Sequence, residues 1–162
     1  MKGWCSRLPT VADPHLRPAA VRLGVAAVLP FVVGAAAVLL ARGAMKDQAA
    51  AALGAYAATV VSFLGGIHWG FGFRTSQPPS SLFLWGVVPS LVSWVALMLP
   101  VAPALALYAA MLSVCFLVDR LVYPRQGAGA WLPLRFRLTL VAVVSCVLGC
   151  WGLLNPVLLA KP

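Results

Sequence analysis

Charged residues are scarce in this sequence of 162 residues, and acidic residues are scarcer still. Only 9% of the residues are charged, and Asp and Glu together occur three times. A soluble domain of similar length carries charge on about a quarter of its residues and covers its core with them. The shortage excludes an ordinary soluble globule. Lipid is the solvent that the 62% of hydrophobic residues predicts.

Signatures of soluble enzymes and of metal sites are also missing. The sequence contains no phosphate-binding glycine loop, no HExxH and no GxSxG, so we expect a protein without enzymatic activity. Its four cysteines show no CxxC spacing. Cys146 and Cys150 share a helix face, but only His15 or His68 could complete a metal site with them. Because free cysteines commonly behave as small hydrophobic residues, we expect no metal and no cofactor.

The basic residues do not indicate a nucleic-acid partner. The formal charge of +9 comes from twelve Lys and Arg residues, which lie almost entirely between and beside the apolar runs. Nucleic-acid binding needs a contiguous basic surface with interleaved aromatic residues, and the longest polar stretch covers only about the first twenty residues. We interpret the basic residues as signals of membrane orientation.

Five apolar segments have the length that a bilayer core requires, about 17 to 25 residues. They are residues 21–40, 49–73, 82–99, 101–118 and 138–159. Pro100 and Pro103 separate the third segment from the fourth in a tight hairpin, because proline ends a helix on each side. The predicted fold is all-α: a polytopic membrane bundle of five transmembrane helices over residues 21–159, preceded by a cytoplasmic tail, residues 1–20.

Lys and Arg residues are distributed unequally between the two sets of connections. Nine lie on the N-terminal side: Lys2, Arg7, Arg17, Arg22, Arg74, Arg120, Arg125, Arg135 and Arg137. Three lie on the other side: Arg42, Lys46 and Lys161. Short cytoplasmic connections carry the excess of Lys and Arg in membrane proteins. We therefore expect the N-terminus inside and, after five spans, the C-terminus outside.

The second span carries a small residue at every fourth position. This row is Gly54, Ala58, Ser62, Gly66 and Gly70. Helices associate in lipid through close van der Waals contact, and small residues let the backbones approach. We expect the row to pack against another helix, either of this chain or of a second copy. The plainer interpretation is that glycine and alanine are common in membrane helices.

His68 lies two residues after Gly66, which places it about 200° around the helix and away from this row. Gly65 and Gly72 flank it, three residues before and four after. These glycines leave room for a ligand, a water molecule or another backbone beside the imidazole. We expect them and Trp69, near the membrane boundary, to line a pocket at His68.

Asp119 is expected at the same depth as His68, because it ends the fourth span, which runs in the same direction as the second. A paired imidazole and carboxylate could relay a proton or orient a ligand, and ionisable groups inside a membrane are candidates for function. A structural interpretation stays open. The carboxylate could bind an arginine at the headgroup level, and the imidazole a backbone carbonyl. The candidate arginines are Arg74, Arg135 and Arg137.

Three parts of the sequence resemble a known family. They are the string SFLGGIHWG at residues 62–70, the pair Asp119-Arg120, and WLPLRFRLT at residues 131–139. On these residues the chain resembles small bacterial inner-membrane proteins of unknown function related to mitochondrial transmembrane protein 69. The resemblance covers most of the chain from the first span to the fifth. It implies a five-span fold and a multi-pass location in the bacterial inner membrane. It also marks His68, Trp69 and Asp119 as candidate functional residues, but it indicates no particular activity.

Three classes of function are compatible with these features. The first is a non-enzymatic bundle, surrounded by lipid, that packs with or helps assemble other inner-membrane proteins or itself. The alternative is a small proton-coupled transporter or carrier that uses His68 and Asp119. A cofactor-binding electron carrier is the third. One intramembrane histidine is a poor start for haem ligation, and Met98 or Met111 would have to help.

Overall fold

The structure is a computed structural model that describes residues 18–155, and all regular structure in this range is helical. The helices are α1 (Pro18–Ala26), α2 (Leu29–Leu40), α3 (Ala44–Arg74), α4 (Ser80–Ala96), α5 (Val101–Arg125) and α6 (Leu132–Leu154). A short 3-10 helix, Gly129–Trp131, precedes α6. The expected tail lies outside the described residues, apart from its last three residues at the start of α1. The end of the fifth expected span also lies outside them.

The prediction of an all-α, polytopic helix bundle is confirmed. Between residues 18 and 155, four helical stretches are long and apolar enough to cross a membrane: Pro18–Leu40, Ala44–Arg74, Val101–Arg125 and Gly129–Leu154. The remaining helix, α4, is apolar and has 17 residues. Its rise is about 25 Å, at the lower end of what a bilayer core requires.

The first apolar run is broken into two helices. Pro30 lies in the first turn of α2, and the turn at Ala27 and Val28 separates α2 from α1. Proline has no backbone N–H to donate to the carbonyl four residues earlier, so a helix starts there more easily than it continues. The Phe31 N–H instead bonds the Val28 carbonyl at 3.1 Å.

Two tight connections place neighbouring helices side by side. Gly43 joins α2 to α3 with a φ of 55°, a backbone conformation that side chains disfavour, and its carbonyl accepts the N–H of Lys46 at 3.0 Å. Between α4 and α5, Pro100 is extended and caps α5, and Pro103 lies in the first helical turn, where no N–H needs a partner.

Helix α3 is the centre of the bundle, since it packs against α2, α4, α5 and α6. Its buried apolar residues, among them Leu53 and Val61, meet Leu105 and Leu112 of α5 in the core. Helix α6 packs against both α2 and α5. Side chains near the end of α3 are therefore within reach of groups from three other helices.

Candidate functional site

The structure brings His68 and Asp119 together in the interior of the bundle. His68 projects from α3 and Asp119 from α5, and each is 1% exposed. The imidazole Nε2 lies 3.5 Å from Oδ1 of the carboxylate. Helices α3 and α5 run in the same direction and end at the same side of the bundle, so equal depth follows from the topology.

Arg135 from α6 completes the cluster. Its Nε lies 2.9 Å from Oδ2 of Asp119, and its side chain is 12% exposed. Its Nη1 also donates a hydrogen bond to Oγ1 of Thr139 at 3.0 Å. Of the three arginines that the sequence offered to the carboxylate, Arg135 is the one that meets it, inside the bundle. We call His68, Asp119 and Arg135 the polar centre.

The contacts of the polar centre are close approaches of charged and polar atoms without the alignment of hydrogen bonds. Polar atoms of all three residues have no hydrogen-bond partner among the described residues: the two carboxylate oxygens of Asp119, Nε2 of His68 and Nε of Arg135. The formal charges of Asp119 and Arg135 compensate each other, which a buried carboxylate needs in a low-dielectric interior. The Nε–Oδ2 contact is therefore an ion pair. It balances the two charges but does not orient the two groups as an aligned hydrogen bond would.

One ring nitrogen of His68 faces a backbone carbonyl of its own helix. Its Nδ1 lies 3.3 Å from the carbonyl oxygen of Leu64, one helical turn earlier. A carbonyl oxygen only accepts hydrogen bonds, so this contact is a hydrogen bond when Nδ1 carries the hydrogen of a neutral imidazole. The lone pair of Nε2 then faces the Asp119 carboxylate, and both atoms are acceptors. A proton between them resolves this conflict, carried either by the imidazole or by the carboxyl group.

Aromatic rings surround the imidazole. The Trp85 ring from α4 and the Phe71 ring from α3 meet it edge-on, with ring centroids at 6.4 Å and 6.2 Å. Phe71 also meets Tyr123 of α5 edge-on, at 5.3 Å. The buried Trp85 Nε1 makes no hydrogen bond within the described part of the chain. The sequence pattern did not identify Phe71 as a neighbour of the imidazole.

Helix α4 fills the space beside the glycines that flank His68. A Cβ on Gly65 would lie 2.5 Å from the carbonyl oxygen of Gly86, and a Cβ on Gly72 would lie 2.6 Å from the Phe83 ring. Another backbone, one of the three occupants expected there, therefore fills the space beside Gly65. Trp69 is 39% exposed, and its Nε1 donates to the Phe83 carbonyl at 2.9 Å. These residues join α3 to α4.

The row of small residues winds from the interior to the outside of the bundle. Gly54 and Ala58 are buried, Ser62 is half-buried, and Gly66 and Gly70 are exposed. A Cβ on either of the last two would meet no atom within 4 Å. Each step of four residues turns about 40° around a helix, so four steps rotate the row by about 160°. A strict spacing of four cannot stay on one face over this length.

A pocket of about 450 Å³ opens at the end of the bundle where α3 and α5 finish. Its lining consists of Phe71, Arg74, Thr75, Ser76, Arg125 and Gln126. Arg74 is the last residue of α3 and Arg125 is the last residue of α5. Phe71 belongs both to this pocket and to the surroundings of His68. The sequence indicated Arg125 as an orientation signal only, and Arg74 also as a candidate partner of Asp119.

Metal ligands do not gather in the described residues. Within residues 18–155, no three His, Cys, Asp or Glu side chains come together as a metal site. Cys146 is buried and Cys150 is half-buried, and both are free thiols. The polar centre itself offers an imidazole, a carboxylate and a guanidinium, which are groups that can pair as ions and exchange a proton.

Comparison with known proteins agrees with this architecture. A family described as a protein of unknown function (DUF3429) matches residues 16–151. Transmembrane protein 69 of Xenopus tropicalis is 34% identical over 134 residues, which cover 79% of this chain and 52% of the relative. The chain thus spans about half the length of this curated relative. No solved structure gives a significant match.

Proposed function

Because the chain belongs to this family of unknown function, DUF3429, its own residues must indicate the activity, and we propose that it is a small proton-coupled carrier. In this proposal it is not an enzyme, lies in the bacterial inner membrane and exchanges a proton at the polar centre. Independently of this proposal, the chain is a multi-pass integral membrane protein of unknown molecular function.

The contact between His68 and Asp119 carries the proposal. The imidazole Nε2 and the carboxylate Oδ1 lie 3.5 Å apart, each on a side chain with 1% exposure, and a proton between them stabilises this contact. Ionisable groups inside the membrane mark proton relays and ion pathways more often than they serve stability alone. Arg135 holds the carboxylate charge in place while the proton moves between the two groups or leaves.

Phe71 supports a proton route from one side of the bundle. Its ring meets the imidazole edge-on and also lines the pocket at the end of α3 and α5. A rotation of this ring would connect the polar centre with the pocket. The excess of Arg residues at this end of the bundle supports placing it in the cytoplasm, with the N-terminus inside.

Proton entry into intact bacterial cells tests the proposal, because intact cells supply any soluble co-substrate. Cytoplasmic pH is recorded after an external acid pulse in cells that express the chain or carry an empty vector. We expect faster acidification with the wild-type chain. The Gln side chain of His68→Gln still donates a hydrogen bond but does not take up or release a proton. This variant and Asp119→Asn should both behave like the empty vector.

The matched control is His15→Gln, the same substitution at the other histidine of the chain, at equal protein level by immunoblot. It should acidify like the wild type. Acidification by His68→Gln at the wild-type rate would rule out a carrier that uses this imidazole.

A second candidate is the assembly role, in which the bundle packs with other inner-membrane proteins or with itself. The observation that favours it is the exposure of Gly66 and Gly70, where added side chains would meet no atom of the described chain. Small exposed residues on a membrane helix let a neighbouring helix approach closely. In this role too the chain has no enzymatic activity and no nucleic-acid partner.

Affinity purification in mild detergent tests whether the exposed face of α3 contacts another protein or only lipid. We expect Gly66→Leu to lose copurifying membrane proteins or the second copy. Ala110→Leu, on the exposed face of α5, should retain them. If both variants purify with the same set of proteins as the wild type, this face of α3 has no assembly role.

A further inference from the structure

Two arginines that line one pocket have no counter-charge in the described chain. Arg74 and Arg125 end neighbouring helices and both line the 450 Å³ pocket. Neither guanidinium makes an ion pair or a hydrogen bond with any residue from 18 to 155. Two like charges that face one cavity repel each other, and an anion between them removes that repulsion.

The chain has almost no carboxylate that could supply this anion. Its acidic residues number three. Asp119 holds Arg135 in the polar centre, and Asp47 lies in the first turn of α3, about 40 Å along the helix from Arg74. The third, Asp13, lies outside the described residues. No carboxylate of residues 18–155 therefore supplies a counter-charge to this pocket.

We propose that this pocket binds a phosphate group, either on the headgroup of an anionic phospholipid or on a soluble phosphate ester. The inference does not rest on the proposed carrier function, because its donors are none of the residues of the polar centre; the two proposals share only the pocket and its lining residue Phe71.

The donors of the pocket match phosphate chemistry. A guanidinium presents paired N–H groups that fit phosphate oxygens, and two such groups can hold two edges of one tetrahedral anion. The Thr75 hydroxyl lies 3.1 Å from the Phe71 carbonyl and 3.5 Å from Oε1 of Gln126. Engaging Oε1 leaves the Gln126 amide group as a further donor, and the Ser76 hydroxyl adds another.

The size of the pocket favours a phosphate that carries an organic group. A volume of about 450 Å³ lies in the range of small-molecule sites and exceeds what one inorganic anion needs. The pocket lies at the end of the membrane helices, where lipid headgroups are found. Basic pockets between membrane helices bind anionic headgroups, and the same donors accept soluble phosphate esters.

Binding by the full chain to two probes tests the site and distinguishes its two sources. Native mass spectrometry in mild detergent counts bound phosphatidylglycerol against phosphatidylcholine. Isothermal titration calorimetry measures glycerol 3-phosphate. We expect one high-affinity anion per chain, and the probe that supplies it identifies the source.

Matched charge variants decide whether the pocket is the site. Arg74→Gln combined with Arg125→Gln should weaken binding by about a hundredfold, since each charged hydrogen-bonding partner contributes about tenfold or more. Arg120→Gln combined with Arg137→Gln removes the same charge from exposed arginines at the same end and should leave the affinity unchanged. All four positions are exposed, so both double variants should fold, which circular dichroism verifies.

Three results would overturn the proposal. The first is no stoichiometric binding of either probe. The second is an equal loss of binding in the two double variants, which indicates general attraction of anions to a basic surface. The third is wild-type affinity in the pocket variant.

Discussion

The Nε2 atom of His68 lies 3.5 Å from Oδ1 of Asp119, while Nδ1 of the same ring faces the Leu64 carbonyl at 3.3 Å. The ring thus lies between two hydrogen-bond acceptors, the Leu64 carbonyl and the Asp119 carboxylate. Its tautomer and its proton content are the properties on which the proposed function depends.

We predict that the imidazole of His68 carries its hydrogen on Nδ1 when it is neutral. The Leu64 carbonyl oxygen can only accept, so in a neutral ring its 3.3 Å contact with Nδ1 is a hydrogen bond in this tautomer alone. The nitrogen chemical shifts of isotope-labelled histidine measure this directly. The chain has two histidines, so His15→Ala leaves a single imidazole to observe. A neutral ring protonated on Nε2 would contradict both the prediction and the proton placement.

Arg135→Gln should lower the free energy of unfolding by about 3–5 kcal/mol, because it leaves the buried Asp119 carboxylate without its counter-ion. Arg137→Gln, two residues along α6 at an exposed position, should change it by less than about 0.5 kcal/mol. Chemical denaturation in detergent micelles, followed by circular dichroism, compares the two variants.

The double variant Asp119→Asn with Arg135→Gln should recover a large part of this loss. Removing both charges leaves neither one buried alone, whereas removing one does. If the double variant is as unstable as the sum of its single variants, the two residues are not coupled.

Adjacent glycines on α3 should respond in opposite ways to the same substitution. Gly65→Ala places a methyl group 2.5 Å from the Gly86 carbonyl oxygen and should destabilise the bundle by about 1–3 kcal/mol. Gly66→Ala meets no atom within 4 Å and should be neutral or stabilise by up to about 1 kcal/mol, because alanine favours a helix. The same denaturation assay measures both, and equal effects would refute the close contact of α3 with α4.

Lys46→Met should lower stability by about 1 kcal/mol. The Lys46 Nζ donates to the Gly152 carbonyl at 2.6 Å, which joins the start of α3 to the last turn of α6. A partly exposed charged hydrogen bond at a helix C-terminus contributes about this much. Arg42→Met, an exposed basic residue in the neighbouring turn, is the control and should have little effect.

The partner of Asp119 illustrates what sequence spacing could indicate. Arg135 lies on the same stripe of α6 as the buried Thr139, Ala142 and Cys146, whereas Arg137 lies about 200° away from it. The stripe singles out Arg135 as the arginine that faces inward. Depth in the membrane, by contrast, does not distinguish Arg135 from Arg137.

The glycines of α3 illustrate what spacing could not indicate. The sequence favoured the row through Gly66 and Gly70 as the packing surface, and left Gly65 and Gly72 to a pocket. The closest backbone contact of α3 with α4 lies instead at Gly65 and Gly86. Both sets contain small residues at helical spacing, so only the position of α4 distinguishes them.

The amino-acid sequence by itself determined the solvent and the architecture of this protein, because runs of apolar residues with so few charges can be covered only by lipid, and lipid requires helices that satisfy their own backbone. It also determined that His68 and Asp119 lie at one depth. Only the tertiary structure decided which side chains meet. The rotation of each helix about its axis depends on packing against all its neighbours at once, and that rotation turns Arg135 toward the carboxylate and gathers Arg74 and Arg125 around one pocket.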